Sequence, residues 1–258
     1  MPEHSDYLDM SVDGQIATLV MNRPHKRNAM CDGLLEALEA FYIDPPKGVR
    51  VVILSGEGGH YCSGLDLSEH VARDAEGTMR HSRNWHRIMQ VIRFGGLVTV
   101  SAMEGAVIGG GLELAANTHV RIAEPSTIFQ LPEGMRGIFV GGGASVNVGK
   151  ILGADRMAEM MLTGRKYSAD EGLQLGLCHY SVGAGESLAL ARKLALKIAA
   201  NAPLSNYVMV QALSQIEDMN KTSGLFTESL CAALTQTSPH AQEGLAAFLE
   251  KRAPDFGG

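Results

Sequence analysis

No apolar run in this 258-residue chain approaches the roughly 18–20 residues needed to cross a bilayer, which argues against a membrane-spanning helix. Cysteine is scarce. Cys31, Cys62, Cys178 and Cys231 form no CxxC and no close Cys/His pairing, so they read as reduced structural thiols. The nine histidines show no HExxH or related spacing, and no metal is expected. Basic charge is also short. With 22 Lys and Arg against 28 Asp and Glu, the formal net charge is -6, which argues against broad nucleic-acid affinity because phosphate binding needs clustered cations. The opening MPEHSDYLDMSVDGQ is too polar for a signal peptide and too acidic for a transit peptide, so a cytoplasmic protein is expected. Low-complexity tracts and short-period repeats are missing as well.

What is present is ordinary for a globular chain: 45% apolar and 19% charged residues, enough for one large domain or a domain with a smaller appendage. The pattern predicts an α/β domain with mostly parallel sheet. IATLVM (Ile16–Met21) reads as a strand and NRPHKRNAM as a polar loop in which Pro24 blocks helix continuation. Leu34, Leu35, Leu38 and Phe41 fall at helical spacing in CDGLLEALEAF. VVILSG (Val51–Gly56) suits a buried parallel strand, and LVTVSAMEG and HVRIAE repeat the strand signal. After Tyr167, Ser168 is a candidate N-cap for a short helix. Helices are then expected over Ser187–Ala202, over Pro203–Met219, and from about Thr222 to a stop at Pro254. A boundary near residue 200 separates an α/β part, 1–200, from a helical part, 201–258.

Three glycine-rich segments carry the chemistry. In GAVIGGGLELAA (Gly105–Ala116) three glycines precede Glu113, an acid set among leucines and alanines. The dinucleotide fingerprint GxGxxG fails because Leu114 stands where its last glycine belongs. A packing turn explains one or two glycines. Three suggest backbone left bare for a ligand, with helix-start N–H groups aimed at developing negative charge. GGHYCSGLDLSEH (Gly58–His70) follows a strand and offers a further N–H after Gly64, although alone it reads as a polar loop. In IFQLPEGMRGIFVGGGASV (Ile128–Val146), Pro132 places Glu133 in a loop, where alone it reads as a solvated acid. Glu113 and Glu133 together form a carboxylate pair able to divide acid and base roles. On HSRNWHRIMQVIR, Trp85, Ile88, Met89 and Ile92 share a face that reads as core packing over the site, with an aromatic acyl pocket as the alternative.

Five segments in order resemble the crotonase family, the enoyl-CoA hydratase/isomerase superfamily: NRPHKRNAM, YCSGLDLSE, GAVIGGGLELA, LTGRKYSADEGLQLGL and EGLAAFLEKRAPDF. The resemblance implies a spiral of repeated ββα units over 1–200 and a helical trimerisation region over 201–258. It implies an acyl-CoA thioester whose carbonyl is held by the backbone N–H groups of Leu65 and Gly110. Glu113 and Glu133 match the two glutamates that add water syn to a 2-enoyl-CoA, with Glu113 expected to stay ionised at its helix start. Gly109, Asp66, Leu67 and Ser68 match substrate- and CoA-contacting positions, and Arg23, Lys26 and Arg27 would reach the CoA phosphates. Lys251 or Arg252 would meet CoA across a subunit interface. No cofactor beyond the substrate's own CoA is implied, and the assembly would be a homotrimer or a dimer of trimers. Alternatives within the resemblance are an enoyl-CoA isomerase, a hydratase-lyase or hydrolase on a bulkier or aromatic acyl-CoA, and an RNA- or acyl-CoA-binding relative. Two departures stand out: Phe139 and Val140 in GIFVGGGAS replace a proline-containing stretch, and His119 occupies a position where aspartate is common.

Overall fold

The parallel strands end on a common edge, and that edge builds the site. A computed structural model describes residues 4–69 and 72–257. Residues 1–3 and His70, which belong to stretches singled out above, lie outside them. Strands β1 (His4–Ser5), β2 (Leu8–Asp13) and β3 (Ile16–Met21) pair antiparallel at one edge. Helix α1 (Asp32–Ile43) leads to β4 (Val51–Gly56), and α2 (Ala75–Phe94) to β5 (Val98–Met103). The chain then crosses to a second sheet as β6 (Ala106–Ile108), forms α3 (Gly110–Ala116) and returns as β7 (Val120–Ala123). It repeats the move with β8 (Ile128–Gln130) and α4 (Ala144–Leu152). These are the expected ββα turns of a spiral.

Helix α5 (Ala154–Thr163), β9 (Tyr167–Ser168), α6 (Ala169–Leu175), β10 (Tyr180–Ser181) and α7 (Ser187–Ala199) complete the α/β part. The large sheet has the order β1-β2-β3-β4-β5-β7-β10, parallel from β3 onward, and the small sheet the order β6-β8-β9. Alternation along β4 splits the core between its two faces. Val52 and Leu54 join α1 and α2 on one face, where Leu34, Leu35, Leu38 and Phe41 are buried as their spacing predicts. Val51 and Ile53 face Ala191, Ala195 and Ala199 of α7 on the other. Ser168 caps α6 as expected, in a reciprocal pair with Glu171.

The tail differs from its sequence reading. Helix α8 (Pro203–Glu217) is followed by two helices, α9 (Lys221–Gln236) and α10 (Pro239–Glu250). Thr237 ends α9, and the Ser238 hydroxyl caps α10 by accepting from the Ala241 N–H. The second helix stops at Lys251, in the left-handed conformation, before Pro254 is reached. Arg252 pairs with Glu243 and Glu250 of its own chain, so its side chain is already committed.

Candidate active site

Three loops leave the carboxyl ends of β4, β6 and β8, the edge at which open parallel sheets bind ligands. The β4 loop is pinned by buried polar groups. Asn28 donates to the Glu57 and His60 carbonyls, and Arg23 donates to Asp66 at 2.9 Å. The Met30 N–H donates to the Gly64 carbonyl and the Asp66 N–H to the Met30 carbonyl. Leu65 is thereby fixed between two tethered peptides. A Cβ on Gly64 would lie 3.1 Å from the Gly110 nitrogen, so this loop and the start of α3 meet backbone to backbone.

Each of the three glycines at that start has a separate packing reason, where the sequence suggested room for packing to explain only one or two. Gly109 has φ +54, a region costly for residues with a Cβ. A side chain at Gly110 would run into the Trp85 ring, and one at Gly111 into the Cys62 carbonyl. The Gly109 N–H is spent on the Gln130 carbonyl, while the Gly109 carbonyl accepts from Leu112 and Glu113. At the first turn of a helix the N–H of Gly110 has no partner within the helix.

Glu113, on α3, is 4% exposed, and its Oε1 accepts from the N–H groups of Gly142 (2.8 Å) and Ala144 (3.1 Å) at the start of α4. Burial raises its pKa, against the pull of those backbone donors. The helix start was expected to favour the ionised form; burial works against it, and the backbone N–H groups at the start of α4 offset part of that cost. Glu133 opens the 3₁₀ turn Glu133–Arg136 and is 7% exposed, so it is no solvated loop acid. Burial, with the Glu113 charge adding to it, raises its pKa to about 7, while Arg136 pulls the other way. Its Oε2 is buried with no hydrogen-bond partner among the described residues.

Leu65, Gly109, Gly110, Glu113 and Glu133 line one cavity of about 170 Å³, together with Leu67. Trp85, Ile138, Phe139 and Val140 add apolar wall, and Arg136 and His81 line the cavity as well. Trp85 is both core and pocket wall, 4% exposed, with its ring against Gly110 and Gly142. No local signal separates those two roles, because only the tertiary approach of two glycines puts its face on the cavity. The Ser82 hydroxyl donates to the Gly141 carbonyl and ties the third loop to α2.

Outside the cavity, Lys26 and Arg27 are exposed, and Lys26 Nζ lies 2.8 Å from Ser68 Oγ. Burial pushes Asp66 up, yet hydrogen bonds from Ser68 and Arg23 prevail and hold it at about 2. Its side chain anchors the loop. Arg23 is buried between Asp66 and the Ala29 carbonyl, so it does not extend toward a phosphate as its sequence neighbours suggested. His119 accepts from the Thr99 N–H at Nδ1 and lies 3.0 Å from the Arg93 carbonyl at Nε2; burial lowers its pKa to about 4. It is a neutral structural histidine.

Residues 11–258 match the family model described as enoyl-CoA hydratase/isomerase. The mitochondrial enoyl-CoA hydratase domain-containing protein 2 of Bos taurus is 34% identical over 94% of this chain and 84% of its own length. The 2,3-dehydroadipyl-CoA hydratase of Escherichia coli K12 is 30% identical over 97% and 98% of the two chains. A crystal structure from Rhodopseudomonas palustris CGA009, provisionally named an enoyl-CoA hydratase, superposes with TM-score 0.93 at 45% identity, covering 95% of each chain. The chain belongs to the enoyl-CoA hydratase/isomerase family and has the crotonase fold. Its matched relatives include proteins named for mitochondria, so the compartment expected from the N-terminus is not a property of the family.

Proposed function

We propose that the protein is a 2-enoyl-CoA hydratase, a hydro-lyase that adds water syn across the 2,3 double bond. The observation that carries this reading is the pair of buried carboxylates, Glu113 and Glu133, lining one small cavity with the backbone of Leu65 and Gly110. The N–H groups of Leu65 and Gly110 would receive the thioester oxygen as enolate charge grows on it, an effect worth about 10²–10³ in rate per donor. Glu113, whose charge is supported by two backbone donors, activates the water that attacks C3. Glu133, held near neutrality in its protonated form, supplies the proton to C2. The two titrate jointly, so the acid and base labels describe the pair's dominant state.

The thioester's CoA moiety would run along Leu67 and Ser68 toward Lys26 and Arg27. No other cofactor enters the reaction. The functional unit is a homotrimer or a dimer of trimers, assembled through 201–258, acting in the cytoplasm. The test is loss of the conjugated enoyl-thioester absorbance of crotonyl-CoA. Glu113→Gln and Glu133→Gln should each lower kcat by two or more orders of magnitude, the scale of positioned acid–base catalysis. Near-full rate in either variant overturns the two-carboxylate mechanism. Conversion of a 3-enoyl-CoA without hydration of any 2-enoyl-CoA would make the enzyme an isomerase.

A further inference from the structure

One charged side chain in the cavity has no task in hydration. In a 3₁₀ turn, side chains three residues apart lie over one another. Glu133 and Arg136 are the two ends of such a turn, and both line the cavity. Arg136 is exposed, which places it at the rim, and it makes no ion pair or side-chain hydrogen bond among the described residues. Other cations nearby are engaged, Arg23 with Asp66 and Lys26 with Ser68, and the His81 imidazole lies 3.6 Å from Asp32. Arg136 is thus a guanidinium that shares the cavity wall with the apolar Ile138, Phe139 and Val140.

Volume decides which part of a substrate meets it. A cavity of about 150 Å³ holds benzene, so the 170 Å³ here has room for roughly six non-hydrogen atoms, the thioester carbonyl and the first acyl carbons. Whatever follows those atoms emerges at the rim. We propose that Arg136 selects acyl chains that end in a carboxylate, making short dicarboxylic enoyl-CoA thioesters the preferred substrates. Its planar fork offers two parallel N–H donors to such a group. This rests on the hydratase reading of the same cavity, and it adds the chemistry of the far end of the acyl chain.

The experiment is calorimetric binding of two saturated thioesters, hexanoyl-CoA and the mono-CoA thioester of the six-carbon dicarboxylic acid, to wild type, Arg136→Gln and Arg136→Lys. Wild type should bind the carboxylate-ended ligand roughly tenfold more tightly, the scale of one charge-assisted hydrogen bond. That ratio should fall to about one in Arg136→Gln and be partly kept in Arg136→Lys. A wild-type ratio near one overturns the inference. So does equal weakening of both ligands in Arg136→Gln, which would assign the guanidinium to the CoA phosphates. Since neither ligand reacts, binding preference with no turnover of any enoyl-CoA would defeat the hydratase reading and leave the Arg136 assignment standing.

Discussion

Glu133 shows what a buried acid costs the fold. Its pKa is about 7 in the folded protein, raised first by burial and then by Glu113, against an ordinary value of 4.5. Between those two pH values the folded chain keeps a proton that the unfolded chain has released. Stability therefore falls as pH rises from about 4.5 to 7, and stays reduced above that. The effect is at most about 3 kcal/mol. Glu133→Gln, which is never charged, should raise Tm by several degrees at pH 8 and by little at pH 5. Thermal melts at the two pH values check this, and an equal gain at both would show that the substitution acts by packing rather than by removing buried charge. The Oε2, which has no partner among the described residues, fits the same picture of a carboxyl buried at a cost in stability.

At the scale of elements, the junction of α3 with the β4 loop is closely packed backbone against backbone. Gly111 lies against the Cys62 carbonyl, and backbone cannot swing aside as a side chain can. Gly111→Ala should push α3 away from the loop that carries Leu65, costing about 1–3 kcal/mol of stability. Activity should fall at least tenfold further than the unfolded fraction explains, read from crotonyl-CoA kinetics beside urea melts. Activity following only the folded fraction would count against the proposed donor role of the Leu65 and Gly110 N–H groups. Such joints are hard to read in advance. The strands at Ile16, Val51, Val98 and Val120 and the helix faces of α1 and α6 follow from local periodicity and capping, and they were legible. β6 and β8, three residues each, are too short to carry a period. The break between α9 and α10 was missed because apolar spacing runs across it. That Leu65, Gly110, Glu113 and Glu133 belong together was read from segments of fixed order, and all four line one cavity. The burial of Arg23, the double role of Trp85 and the upward shift of Glu113 depend on contacts between distant segments, which no single stretch records.

For the whole molecule, the question is what covers the helical tail. Exposed apolar side chains collect on it: Leu225, Phe226, Leu230 and Leu234 on α9, then Leu245, Phe248 and Leu249 on α10. The α10 group has spacing i, i+3, i+4, so it forms one stripe, and Phe248 is 80% exposed. Isolated exposed leucines are ordinary, but a continuous apolar stripe of this kind marks a contact surface. The same face repeated on identical chains favours closed symmetric assembly, in keeping with the proposed trimer. Light scattering should then give three or six times the 27.5 kDa chain mass. The double substitution Phe248→Glu, Leu249→Glu places charge on the stripe without touching the protomer core, so circular dichroism should stay native while the mass falls toward that of one chain. Unchanged mass with native dichroism would remove α10 from the interface. A wild-type mass of one chain would remove the trimer itself, and the apolar tail would need another partner.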